Sequence, residues 1–207
     1  MVKLKIMKIK YIVIIFCVLL MASCQKQEFI DTGIANGKVD GSILDYLQTN
    51  SYNWDSTYLV VKRAGLEDLF SGDDPAHEQI TFLAPTNHSI LKWMLKNNYK
   101  AVNEIPVETC KSLILRHVIQ DKFMLKDVPV GNTWPKEGGM TVKALGNNDV
   151  FLCNYVTSFD YVPDAGPRQL RIYSPEKYKV IYVASTDIDC DNGVVHSLHY
   201  AYYFSDL

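Results

Sequence analysis

Basic charge is in short supply: 21 Lys and Arg face 23 Asp and Glu in the 207 residues. Four of the lysines, Lys3, Lys5, Lys8 and Lys10, lie in the first ten positions, and beyond them the balance is 17 against 23, or −6. Recognition of a phosphate backbone needs a clustered basic surface, so nucleic acid is not an expected partner. The longest apolar run, "YIVIIFCVLLM", has about eleven residues, well below the roughly 20 that span a bilayer as a helix. Five cysteines are too few for a disulfide scaffold in a chain of this length. No G-x-S-x-G elbow, phosphate-cradling glycine loop or H-E-x-x-H occurs, which removes the usual signatures of serine hydrolases, nucleotide-binding enzymes and zinc proteases. Neither a catalytic residue nor a metal or cofactor site is expected. Internal repeats and low-complexity tracts are absent too, and the length suits one domain with a substantial core.

What is present begins with a targeting segment. Residues 1–23 join a lysine-rich start without acids to the short apolar run, the form of a secretory signal. The run ends in "MASC", where Ala22 and Ser23 precede Cys24, and this resembles the lipobox of bacterial lipoproteins. The resemblance implies cleavage before Cys24 and lipidation of its thiol and new amino terminus, with the membrane as a partner through that anchor. An ordinary signal peptide or an uncleaved anchor is the alternative. Residues 24–40 are polar, with Gly33, Asn36 and Gly37, and read as a flexible tether. The folded domain is expected over 41–207.

Within it, Ser42 followed by Asp45 in "SILDYLQ" is a capping-box start for a short helix. "DSTYLVVKRAGLEDLF" has helical periodicity with Gly65 as the break. "ITFLAPTNHSILKWMLKNN" is a strand stopped at Pro85, with Thr86 placed to cap the next helix. In "VETCKSLILRHVI" the residues Cys110, Leu113, Ile114 and His117 share one helical face. Later segments show period two between turns, ending in a strand "GVVHSLHYAYYF". Helices first and strands later predict an α+β fold with an antiparallel sheet.

Some constellations invite chemistry. Asp187, Asp189 and Asp191 have calcium-loop spacing, but Asn192 stands where the loop needs glycine and Leu198 where it needs a bidentate Glu. In an extended strand the three carboxylates point one way, as on a solvated face. His196 and His199 fall on opposite sides of a strand and cannot share a metal. Cys110 with His117 could form a nucleophile and base, but an apolar helical face favours core packing. Cys153 and Cys190 either form a disulfide or remain free buried thiols. The many tyrosines, dense in "FDYVPDAGPRQLRIYSPEKYKVIYV", either stack on sugars or pack half-buried on strands.

Three segments resemble signatures of the fasciclin (FAS1) domain: "TFLAPTN" with Thr81, Ala84, Pro85, Thr86 and Asn87, "LILRHVI" with His117, and "NGVVHSL" with Asn192, Gly193 and His196. Together they resemble the family in order and spacing over 41–207. The resemblance implies a wedge of two β-sandwich-like sheets with a cluster of short helices at one end, and these motif residues acting as structure. Asn192-Gly193 is then the turn into the last strand, and His196 points inward to bond the backbone. It also implies a non-catalytic adhesion or binding module, here on a Bacteroidetes-like bacterial lipoprotein exported to the outer membrane, with a glycan or an envelope protein as ligand. A structural accessory subunit of an outer-membrane glycan-uptake complex is the alternative. Arg116 replaces the tyrosine that precedes the histidine in integrin-binding members, and 160–179 resembles an inserted loop.

Overall fold

The computed structural model describes residues 37–158 and 166–207. The signal segment, Cys24, tether positions up to 36 and residues 159–165 lie outside the described residues. The rest of the stretch 160–179, read from the sequence as an inserted loop, is mostly the strand Arg168–Ser174, paired on both sides.

Helix α1 (Ile43–Thr49) starts at the capping box: Ser42 Oγ accepts from Asp45 N–H and the Asp45 carboxylate accepts from Ser42 N–H. Helix α2 (Ser51–Ala64) begins four residues before the periodic segment read from the sequence and ends at Gly65, whose φ of 65° is a left-handed cap. Helix α3 (Glu67–Ser71) follows, then strand β1 (Ile80–Ala84), helix α4 (Asn87–Lys96) and helix α5 (Val107–Leu115). Eight further strands are described: β2 (Val118–Gln120), β3 (Gly131–Thr133), β4 (Lys136–Gly138), β5 (Met140–Lys143), β6 (Asp149–Val156), β7 (Arg168–Ser174), β8 (Lys179–Cys190) and β9 (Gly193–Leu198).

Seven strands form one sheet in the order β2-β1-β9-β8-β7-β6-β5, with β1 and β9 parallel and the other pairs antiparallel. The long β8 belongs to both halves. Register shifts between Val183 and Ser185 and between Ser185 and Ile188, with Asp187 at φ 60°, bend it between them. The halves therefore face each other across one core of Leu83, Ile119, Val150, Leu152, Leu170, Ile172 and Leu198. At the far ends β2 meets β5: Ile119 bridges Ala144, and Leu145 N–H donates to Val118 C=O at 2.8 Å.

Strand β1 is buried along its whole length because both of its faces are covered. Ile80, Phe82 and Ala84 turn to a second core made with the helices, beside Trp54, Val60, Phe70, Ile90, Trp93 and Ile114, while Leu83 turns into the sandwich. The α+β wedge with helices at one end is thus one bent sheet with two apolar cores. Pairing extends ahead of Gly41, since Lys38 bridges Asp189 and Val39 N–H donates to Asp189 C=O at 2.8 Å.

Several local expectations change. Strand β9 stops at Leu198, and the "HYAYYF" that follows turns back so that Tyr202 and Phe204 plug the core. Helix α5 stops at Leu115, two residues short of His117, so Cys110 and His117 do not share a helical face. The chain leaves the helix there because His117 C=O is needed by Leu83 N–H (2.9 Å) at the start of the β1–β2 pairing. Cys153 and Cys190 are free, as is Cys110, and all three are buried.

Candidate functional site

The strand–helix corner around Pro85 is built by exchange between helices. Thr86 occupies the N-cap position of α4 with extended backbone, but its side chain caps nothing and its Oγ1 stands 3.3 Å from Ser89 Oγ. The adjacent Asn87 turns to α2 instead. Its Nδ2 donates to Ser51 and Tyr52 carbonyls (3.1 and 3.0 Å), and its Oδ1 accepts from Ser56 N–H (2.7 Å). Ser56 N–H and Tyr52 C=O are the two groups that an uninterrupted helix pairs with each other, so the amide bridges that rung. Thr57, wholly buried, donates Oγ1–H to Pro85 C=O at 2.5 Å. Ala84 is fully buried beneath the corner.

This locked corner leaves a cleft of about 490 Å³ between the first turns of α2 and α4, lined by Tyr52, Asn53, Ser56, His88, Leu91 and Tyr200. Both of its tyrosines are exposed, Tyr52 94% and Tyr200 64%. Tyr200 is held by Lys92, whose Nζ donates to the carbonyls of Tyr200 (3.3 Å) and Ala201 (3.0 Å). It is also supported by the His199 ring at 4.2 Å between centroids. The side chains of Asn53, Ser56 and His88 line this cleft and have no hydrogen-bond partner among the described residues. The sequence pattern alone does not mark this cleft. Tyr52 lay ahead of the expected helix and Tyr200 inside an expected strand, and the signal was two tyrosines at the two ends of unrelated segments.

The other motif residues hold the fold. Thr81 Oγ1 donates to Asp121 C=O and accepts from Phe123 N–H, both at 2.8 Å. Asn192 joins three elements: Oδ1 accepts from Ile43 N–H (2.8 Å), Nδ2 donates to Phe70 C=O (3.0 Å), and its carbonyl accepts from Ile80 N–H (3.1 Å). The β8–β9 turn is centred on Asp191 and Asn192, one residue earlier than read from the sequence, since Cys190 already pairs with Gly193. Gly193 is required by proximity: a Cβ there would lie 2.1 Å from Ile80 O.

Both motif histidines are buried and neutral. His117 Nδ1–H donates to Leu113 C=O at 2.7 Å, and Nε2 accepts from the Tyr202 hydroxyl at 2.8 Å. Burial pushes the His117 pKa down to about 4, and it raises that of Tyr202. His196 faces the sandwich, with Nδ1 accepting from Asp187 N–H (3.2 Å) and Nε2–H donating to Phe123 C=O (2.8 Å), and burial lowers its pKa as well. His199 lies past the strand and accepts from Ala201 N–H.

The acidic strip does not present one face. The bend at Asp187 breaks the alternation, and the carboxylates go to separate partners: Asp187 to Leu125 N–H (2.7 Å), Asp189 to Lys122 Nζ, and Asp191 to Gly41 N–H (3.1 Å). The thiol of Cys110 is enclosed in the helix-side core and burial raises its pKa, the opposite of an activated nucleophile.

Residues 53–201 match the fasciclin domain family. The chain belongs to that family. Its fold resembles a FAS1 domain pair from the insect cell adhesion molecule fasciclin I, with a TM-score of 0.53 and 17% identity over 76% of this chain. The alignment spans 49% of that chain, about half its length. No curated protein matches this sequence. Fasciclin domains are generally non-catalytic adhesion modules; in this one the motif histidines His117 and His196 and the thiols of Cys110, Cys153 and Cys190 are buried, whereas His88 lines the open cleft.

Proposed function

We propose that this fasciclin domain is an exported, lipid-anchored binding module that holds a glycan of the cell envelope in the cleft between Tyr52 and Tyr200. The observation that carries the reading is the pairing of two exposed tyrosine rings with the free amide, hydroxyl and imidazole of Asn53, Ser56 and His88. A pyranose offers an apolar C–H face and a rim of hydroxyls. Aromatic walls with a few convergent polar groups suit it. The helices behind the cleft are fixed by Asn87, so little ordering accompanies binding. Cys24 supplies the anchor, because several acyl chains on one residue add roughly 0.8 kcal/mol per buried methylene.

A glycan array probed with the full chain and with Tyr52→Ala and Tyr200→Ala tests the cleft. At least one neutral oligosaccharide is expected to bind, with a loss of about tenfold in each variant. Absence of glycan binding together with a stoichiometric protein captured from native membranes overturns the reading in favour of the accessory subunit. Cys24→Ala is expected to move the protein from the membrane to the soluble fraction.

A further inference from the structure

On the sheet face opposite the one that carries Leu152 and Ile172, β7 places Arg171 opposite the buried Cys153 of β6 and the half-exposed Tyr182 of β8. Tyr155, two residues beyond Cys153, shares that face. The guanidinium carbon lies 3.3 Å from the centre of the Tyr155 ring, stacked on it, and 5.4 Å from that of Tyr182. The arginine is thus held as a flat plate between aromatic groups.

No anion faces it among the described residues. Among the described residues no carboxylate pairs with Arg171, although Arg116 has Glu176 and Lys122 has Asp189. Its Nε is enclosed without a partner, and its two Nη atoms have none among the described residues. A guanidinium fixed in plane by stacking keeps its fork of N–H donors in one orientation, the arrangement that recognises a planar or tetrahedral oxyanion. Tyr182 is 52% exposed beside it and offers a ring face to whatever carries that anion.

We infer that Tyr155, Arg171 and Tyr182 form a subsite for the acidic group of an anionic polysaccharide, a uronate carboxylate or a sulfate ester. None of the three lines the cleft described above, so this site stands or falls separately from it. The chain's formal charge of −2 gives no general attraction for polyanions, so such binding has to arise locally.

Affinity electrophoresis of the full chain in gels containing polygalacturonate, its methyl ester, dextran sulfate or poly-glutamate tests the inference. Retardation is expected in polygalacturonate or dextran sulfate, with the polymer that retards identifying the acidic group, and none in the methyl ester. Arg171→Gln is expected to weaken binding at least tenfold. Arg171→Lys, which keeps the charge but loses the fork, is expected to weaken it about fivefold, and Tyr182→Ala, at a half-exposed position, supplies a variant with little risk to folding. Equal retardation by the ester, by both acidic polymers in Arg171→Gln with native circular dichroism, or in Tyr182→Ala and Arg171→Lys together, overturns the proposal. So does absence of retardation in both acidic polysaccharides, and retardation by poly-glutamate of equal strength reassigns the site to acidic peptides.

Discussion

His117 accepts a hydrogen bond from Tyr202 across 2.8 Å, in a core that admits neither solvent nor charge. Its other nitrogen already donates to a carbonyl, so a second proton at Nε2 would set an N–H against the tyrosine and leave a cation without a counter-ion. The unfolded chain protonates histidine near pH 6.5, whereas folded His117 resists until about 4. The sign follows: the unfolded state binds more protons in that interval, so the stability is fully present above pH 6.5 and is lost as pH falls towards 4. Each buried histidine contributes a slope of up to about 1.4 kcal/mol per pH unit, and His196, also lowered, adds to it. Urea midpoints measured at pH 7, 6 and 5 should drop steadily, and His117→Phe should make the dependence shallower. Flat midpoints across that range would show that neither histidine is held neutral.

At the cleft corner, the two neighbours Thr86 and Asn87 should rank against the usual N-cap rule. Thr86→Ala removes a side chain with no capping bond and should cost less than about 0.5 kcal/mol. Asn87→Ala strips three partners from the first turns of α2 and should cost about 1–3 kcal/mol. Chemical denaturation decides the order, and amide exchange at Ser56 should quicken only in the second variant.

Two glycines with positive φ should respond differently to alanine. At Gly65 nothing lies within 4 Å of an added Cβ, so Gly65→Ala meets only left-handed backbone strain of about 1–2 kcal/mol. At Gly193 the new atom lies 2.1 Å from Ile80 O, and separating β9 from β1 should cost about 3 kcal/mol or more. Similar melting temperatures for the two variants would contradict the close approach.

Thiol labelling should be silent in the native state. Burial pushes Cys153 up to about 11 and Cys190 up to about 12, with Asp189 and Asp191 adding to the latter, and Cys110 is raised as well. Labelling at pH 8 followed by peptide mapping should find all three unmodified when folded and all three modified in denaturant. Recovery of Cys110 alone after denaturation would indicate a Cys153–Cys190 disulfide.

Legibility in the sequence followed the range of the interactions. The Ser42–Asp45 box, the Gly65 cap and the strand–Pro85–helix corner are settled within a few residues, and spacing reveals them. The role of Asn87 is not local: its partners lie 31 to 36 positions away, and only the packed helices show that it serves α2 and not α4. The apolar periodicity that puts His117 on a helix runs on through the helix end, whereas the carbonyl demand of Leu83 stops the helix before it. Alternating aspartates implied one strand face, but a single left-handed residue, Asp187, scatters them. The cleft was hidden because Tyr52 and Tyr200 are distant in sequence and each alone is an ordinary surface tyrosine.

The contact between β2 and β5 has a consequence for crowding. An open sheet ends in rows of unpaired N–H and C=O groups that can recruit a strand from another molecule. Here the two outermost strands of the seven-stranded sheet spend such groups on each other through Ile119, Ala144, Val118 and Leu145. A domain closed in this way can be displayed densely beside its own copies without growing into them.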